Sequence, residues 1–198
     1  MYSSENYVSS ISTADYIAKY RDVDKFIVFC QQCNKYNNCW ACPPFGFDKE
    51  EYIMKYKNAY IIGTKITLSE EIRLSCKNNE DSKSTGVKII EEVRKNLDKQ
   101  LLQAESETLN SRAFFAGTCH FCPKEDCTRI VGKPCRYPDK IRPSLESLGF
   151  DIGKTTEELL GIKLQWSTDG SPPEYLVLVS GLFTNGILKY PERHFMLK

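Results

Sequence analysis

The chain has no strong excess of charge, no long apolar run and no familiar catalytic signature. Lys plus Arg number 27 and Asp plus Glu 26, a net +1 that leaves no electrostatic footprint for nucleic acid or an anionic membrane surface. The longest apolar runs, such as Tyr175–Val179, are far shorter than the ~20 residues of a bilayer-spanning helix. The N-terminal Met-Tyr-Ser-Ser-Glu-Asn-Tyr-Val has no basic segment leading into an apolar one, so the chain is expected in the cytoplasm, where thiols stay reduced. G-x-G-x-x-G, H-E-x-x-H and G-x-S-x-G do not occur, and neither does the C-x3-C-x2-C run of radical enzymes. Gly132-Lys133 and Gly153-Lys154 lack phosphate-loop spacing. Neither an internal repeat beyond the cysteine clusters nor a clean linker is visible, which predicts one α+β domain over residues 1–198.

Against these absences stand nine cysteines. In a reducing compartment that number points to ligation or redox chemistry rather than disulfides, and its being odd argues against a fully paired framework. Cys30, Cys33, Cys39 and Cys42 fall within thirteen residues as C-x2-C-x5-C-x2-C and run into Pro43-Pro44. Cys119, Cys122, Cys127 and Cys135 follow about eighty residues later. Four converging thiolates hold zinc in a tetrahedron, or a 4Fe–4S cube with one thiolate per iron. Cys42-Pro43 and Cys122-Pro123 resemble the Cys-Pro ends of ferredoxin-type loops, and the five residues between Cys33 and Cys39 are too few for the two knuckles of a zinc ribbon. Two 4Fe–4S clusters are therefore favoured, with two zinc ions, or disulfides and free thiols, as alternatives. Eight thiols fill two four-ligand sites and leave Cys76 as an ordinary free thiol. Which cysteines share a site stays open, because the last cysteine of one run can serve the other cluster.

The rest of the sequence predicts the scaffold: a small mixed sheet with helices packed on it, and both cysteine loops at strand ends. Ser12-Thr13-Ala14-Asp15 reads as a helix start followed by the apolar Tyr16, Ile17 and Tyr20. Val23–Phe29 reads as a buried strand delivering the chain to Cys30. Asp48 and Glu51, with the pair Phe47 and Tyr52, mark a helix running to about Lys57, and Ala59–Leu68 the next strand, which together suggest a parallel crossover. Asn78–Ser84 reads as a mobile loop. Thr85–Ala104 reads as a long helix, with Ile90, Val93, Leu97, Leu101 and Ala104 on one stripe. Arg112–Gly117 is a short strand, Pro143–Gly149 and Thr155–Leu160 are short helices, and Ile162–Trp166 with Glu174–Phe183 form a hairpin around a Ser-Thr-Asp-Gly-Ser-Pro-Pro turn.

The order of the cysteines, with Gly117-Thr118-Cys119, Cys135-Arg136-x-Pro138 and Arg142-Pro143-Ser144-x-Glu146-x2-Gly149-x-Asp151, resembles the prokaryotic family of predicted metal-binding proteins called domain of unknown function 2284. The resemblance runs from Cys30 to the C-terminal hairpin and takes in the eight clustered cysteines, Arg136, Ser144, Glu146, Gly149 and Asp151, but not Cys76. It implies metal or iron–sulfur binding in mainly anaerobic microbes and supplies no reaction.

Two complete four-cysteine sets suggest an electron-transfer protein whose partner is a redox enzyme or ferredoxin, with no nucleic acid or membrane partner. A small iron–sulfur reductase with a pocket near Arg136, Glu146 and Asp151, and a zinc-stapled binding module, are the alternatives. His120 between Cys119 and Cys122 reads as polar loop filler ahead of a role in tuning a cluster, and His194 as a surface residue. Trp40 and Tyr36 either shield a cluster or pack the core.

Overall fold

The computed structural model describes residues 1–122, 126–167 and 170–195, with the backbone alone at Arg193 and His194. Pro123, Thr168, Asp169 and the side chain of His194, on which the Cys-Pro, hairpin-turn and surface readings fall, lie outside the described residues. The frame is a four-stranded sheet of Tyr2–Ser12 (β1), Asn58–Leu68 (β2), Ser111–Phe114 (β3) and Tyr175–Thr184 (β4), in the order β1-β2-β4-β3. With helices on both faces the chain is α+β. Every strand pairing is antiparallel, so the expected parallel crossover, and with it a mixed sheet, gives way to an antiparallel one.

No hydrophobic alternation marks β1, whose Ser, Asn and Glu residues hid it from sequence reading. It is an edge strand with one half-exposed face, held by an unbroken ladder from Tyr2↔Leu68 to Ser12↔Asn58. Within that ladder Asn6 accepts a hydrogen bond from the Thr64 hydroxyl at 2.5 Å and donates to the Phe195 carbonyl. β2 and β4 are buried on both faces, which explains their near-continuous apolar sequence.

One sheet face carries Ile62, Ile66, Leu178 and Leu182. The other carries Ala59, Ile61, Val179 and Phe183, packed against the first helix, Thr13–Tyr20 (α1), and the segment from Leu145 to Ile162. There Tyr16 stacks on Phe150 with ring centroids 4.3 Å apart. Ser12 caps α1 as read, its hydroxyl accepting from Asp15 N–H at 3.0 Å.

Val23–Gln31 is a helix (α2), which overturns the predicted strand. Its β-branched and aromatic run has strand propensity, but that preference holds only where a sheet surface receives it. Here Asp22 caps the helix by accepting from Lys25 N–H at 3.0 Å, and none of its residues is fully buried. The first cysteine loop therefore hangs from a helix end, and only the second follows a strand. Lys49–Met54 (α3) starts as predicted, with Asp48 accepting from Glu51 N–H at 2.7 Å and Phe47 packed on Tyr52.

After β2 come Glu70–Ser75 (α4) and Asn79–Glu107 (α5). The predicted loop at Asn78–Ser84 is the start of α5. Asn78 Oδ1 accepts from Glu80 and Asp81 N–H at 2.9 Å, so a polar first turn is capped rather than free. The predicted stripe of α5 lies on the sheet, with Val93, Leu97, Leu101 and Ala104 buried and Ile90 at the margin.

Ile162–Trp166 is not a strand, and Glu174 N–H bonds the Gln165 side chain instead of a ladder partner. β4 pairs with β2 and β3 in place of that hairpin arm. Residues 143–149 form a 3-10 turn at Glu146–Leu148, and Ile152–Lys154 (α6) runs into a π turn at Thr155–Leu159. Pro191–His194 (α7) leads to Phe195, which is buried under β1. No helix among the described residues is long and apolar enough to cross a membrane.

Leu101→Ala, which empties a fully buried position between α5 and the sheet, is expected to cost about 3 kcal/mol in urea denaturation. The control Leu74→Ala, at a position 75% exposed on α4, is expected to change stability by less than about 0.5 kcal/mol.

Candidate metal centre

Each C-x2-C pair of the first loop is a tight turn. Cys33 N–H bonds the Cys30 carbonyl and Cys42 N–H the Cys39 carbonyl, both at 3.0 Å. Cys30 stands in the last turn of α2, and the loop leaves through a cis Pro43–Pro44 bond. The second segment leaves β3 through buried Phe115 and Ala116 and turns at Gly117, whose φ of 72° favours glycine, to reach Cys119.

The structure brings all eight expected cysteines to one end of the molecule but does not divide them four and four. A cavity of about 70 Å³ is lined by Cys119, Cys122, Cys127 and Cys135 together with Cys39. Trp40, Phe121 and Tyr137 wall it. A second cavity, of about 170 Å³, is lined by Cys30, Cys33 and Cys42, with Tyr36, Ser144 and Glu146. Cys39 and Cys42, three residues apart, thus face different cavities. Cys76 lies apart from both, buried between Ile72 and Thr85. Among the described residues no group of three or more His, Cys, Asp or Glu side chains is arranged to hold a single metal ion.

The sulfurs sit in a consistent pattern of donors. Cys39, Cys119 and Cys135 each take a backbone N–H from the residue two further on: Ala41, Phe121 and, at 3.3 Å, Tyr137. Arg136 reaches Cys122 Sγ at 3.6 Å. Cys119 and then Cys42 donate to Cys39 and hold it as a thiolate, far below the usual thiol range. The same contact with Cys39, and then burial, push the thiols of Cys42 and Cys119 far up. Burial, followed by repulsion from Cys33 and Glu146, raises Cys30. Burial raises Cys135 too, which also feels Cys127, Cys122 and Cys39. Cys42 is thus tied most closely to Cys39, across the two cavities, and more weakly to Cys33 and Cys30.

Arg129, which the sequence did not single out, ties the two loops together. From the turn after Cys127 its guanidinium donates to the carbonyls of Cys39 at 2.9 Å, Cys42 at 2.6 Å and Pro44, and to Asn37 Oδ1 at 3.3 Å. It also lies over the Trp40 ring, whose N–H donates to the Lys133 carbonyl. A planar fork with five donors suits this task, and a lysine ammonium does not. Nothing in the spacing around Arg129 announces it.

His120 is tied to the scaffold rather than being loop filler. Its Nε2 is 2.7 Å from Asp98 Oδ2, on α5, where Arg94 also donates at 3.3 Å. Asp98 is 1% exposed, so α5 supplies a buried carboxylate that orients the ring beside Cys119.

The proposed patch of Arg136, Glu146 and Asp151 does not form. Arg136 belongs to the cysteine loop, bonded to Cys122 Sγ and the Asp126 carbonyl, while Asp151 caps α6 and pairs with Lys25 at 3.6 Å. Glu146 lines the Cys30 cavity. Burial raises its pKa, opposed by its own backbone N–H, the Ser144 hydroxyl and the charge of Arg94, and its Oε2 is out of solvent with no hydrogen-bond partner. It reaches this place because Gly149, with φ of 94°, lets the turn press on the start of α2. A Cβ there would stand 2.9 Å from Val23 Cα.

A family model described as predicted metal-binding protein (DUF2284) matches residues 13–183. The chain belongs to this family. The match spans both cysteine loops, β2, β3 and all but the last residue of β4, leaves out β1, and its description leaves the metal unnamed. No curated protein and no solved structure matches the chain.

Arg129→Ala is expected to destabilise the reduced, metal-free chain by about 3 kcal/mol in urea denaturation. Arg129→Lys is expected to recover less than half of that, because an ammonium cannot span the carbonyls that the guanidinium bridges.

Proposed function

We propose that this predicted metal-binding protein carries two 4Fe–4S clusters and passes electrons in the cytoplasm to or from a redox enzyme or ferredoxin. The observation that carries the reading is the splitting of the Cys39–Cys42 turn between two cavities, which would hold two redox centres side by side. Around one zinc ion, with Zn–S near 2.3 Å, tetrahedral geometry draws sulfurs to within about 4 Å of one another. A cluster takes each thiolate at a separate iron, and eight thiols distributed around two cavities support it over a single ion.

Cys119, Cys122, Cys127 and Cys135, with Cys39 beside them, would hold one cluster, and Cys30, Cys33 and Cys42 the other. When bound, such groups supply one-electron storage. The chain's own part is to donate N–H groups to the sulfurs, from Ala41, Phe121 and Tyr137, and to place the Arg136 charge near Cys122. Trp40, Phe121 and Tyr137 give the first cavity an aromatic wall. A reductase built on the Arg136, Glu146 and Asp151 patch loses its basis, because those residues do not line one cavity.

Anaerobic reconstitution is expected to give a brown protein with about eight iron and about eight sulfide per chain, and EPR signals on reduction. Colourless protein with two zinc and no sulfide overturns the reading. Stripping the metal with a chelator is expected to lower the melting temperature, because ligand binding free energy is folding free energy for such loops.

A further inference from the structure

Eight thiols around two cavities divide five and three, so the Cys30 cavity is one thiol short of a four-thiolate set. Its other polar groups are mostly engaged. Ser147 Oγ donates to the Ser144 carbonyl at 2.7 Å, and Ser144 Oγ accepts from Ser147 N–H at 3.3 Å. Glu146 is different, because its Oε2 is shut off from solvent and has no partner. A buried carboxyl oxygen with nothing to bond is costly, and the cost is relieved by protonation or by a cation.

The same residue borders a second space. Glu146, Gly117 and Thr118 line both the Cys30 cavity and a cleft of about 350 Å³ between α5 and β4. The cleft is lined by the apolar Ile90, Val177 and Val179 and by Glu91, Glu146 and Arg94, whose guanidinium, 7% exposed, is paired with Asp98 at 3.3 Å.

We infer that Glu146 is the fourth, non-thiolate ligand at the Cys30, Cys33 and Cys42 site. A carboxylate is a harder and more exchangeable ligand than a thiolate, so this corner is open to exchange where the others are closed. The inference rests on the iron–sulfur reading, and its test separates the two.

The protein is reconstituted anaerobically as wild type, Glu146→Gln, Glu146→Cys and Cys39→Ser, then oxidised mildly with ferricyanide. Wild type is expected to lose one iron and show a three-iron EPR signal. Glu146→Gln should show that signal before oxidation, and Glu146→Cys, with four thiolates, should lose it. A three-iron signal equal in Glu146→Cys and wild type overturns the ligand assignment, as does one that arises only in Cys39→Ser, which would make Cys39 the fourth ligand. If iron and sulfide are absent, the iron–sulfur reading has failed, and cobalt(II) then tests Glu146 by itself. Sulfur-to-cobalt absorption must rise in Glu146→Cys if Glu146 is a ligand, and unchanged absorption refutes it.

Discussion

Three thiols in contact cannot all ionise unless positive charge stands among them. Cys39, Cys42 and Cys119 are held in that condition, with Cys42 and Cys119 favoured in the protonated form and donating their S–H groups to Cys39. The remaining clustered thiols lie within electrostatic reach of these three. A fold that gathers this much latent negative charge at one end is organised around a cation it must receive. The antiparallel sheet, the caps and the long helix serve to hold that end in place.

What keeps the loops together before any cation arrives is neutral or positive. The guanidinium of Arg129 gathers backbone carbonyls from the first loop, and the Trp40 side chain returns a hydrogen bond to the second. Further out, Arg142, 6% exposed, forms a two-pronged pair with Glu105 at 2.6 and 2.7 Å and joins the Ser144–Gly149 turn to the end of α5. Breaking such a buried pair costs more than its net attraction suggests, because the remaining charge is stranded. Asp98 does similar service for His120 midway along the same helix. α5 is thus both the cover of one sheet face and the beam from which the second cysteine segment hangs.

The cysteines, the caps at Ser12 and Asp48, the stripe of α5 and the strands β2 and β4 were legible because each rests on local chemistry or on burial of a whole face. β1 was not, since an edge strand needs ladder partners more than apolar side chains, and Ser, Asn and Glu satisfy it. α2 misled because Val, Ile and Phe suit a sheet, while the edges of this one are occupied by β1 and β3. The division of the thiols was out of reach for a different reason. A C-x2-C turn fixes how far apart two sulfurs are along the chain, not which way each faces, and the facing of Cys39 and Cys42 is decided by residues ninety positions away, Arg129 among them. Glu146 was visible as a residue but not in its place, which depends on Gly149 allowing backbone to touch α2.

Neither cavity is made from one stretch of chain. The first borrows Cys39 from the early loop, and the second borrows Gly117, Ser144 and Glu146 from the late one. During synthesis the early cysteines therefore leave the ribosome long before the residues that complete their site. β4, the strand that joins β2 to β3, comes later still. Loading cannot proceed loop by loop as the chain emerges. It has to wait for the nearly finished polypeptide, and until then the first four thiols are exposed to any oxidant or stray metal in the cell.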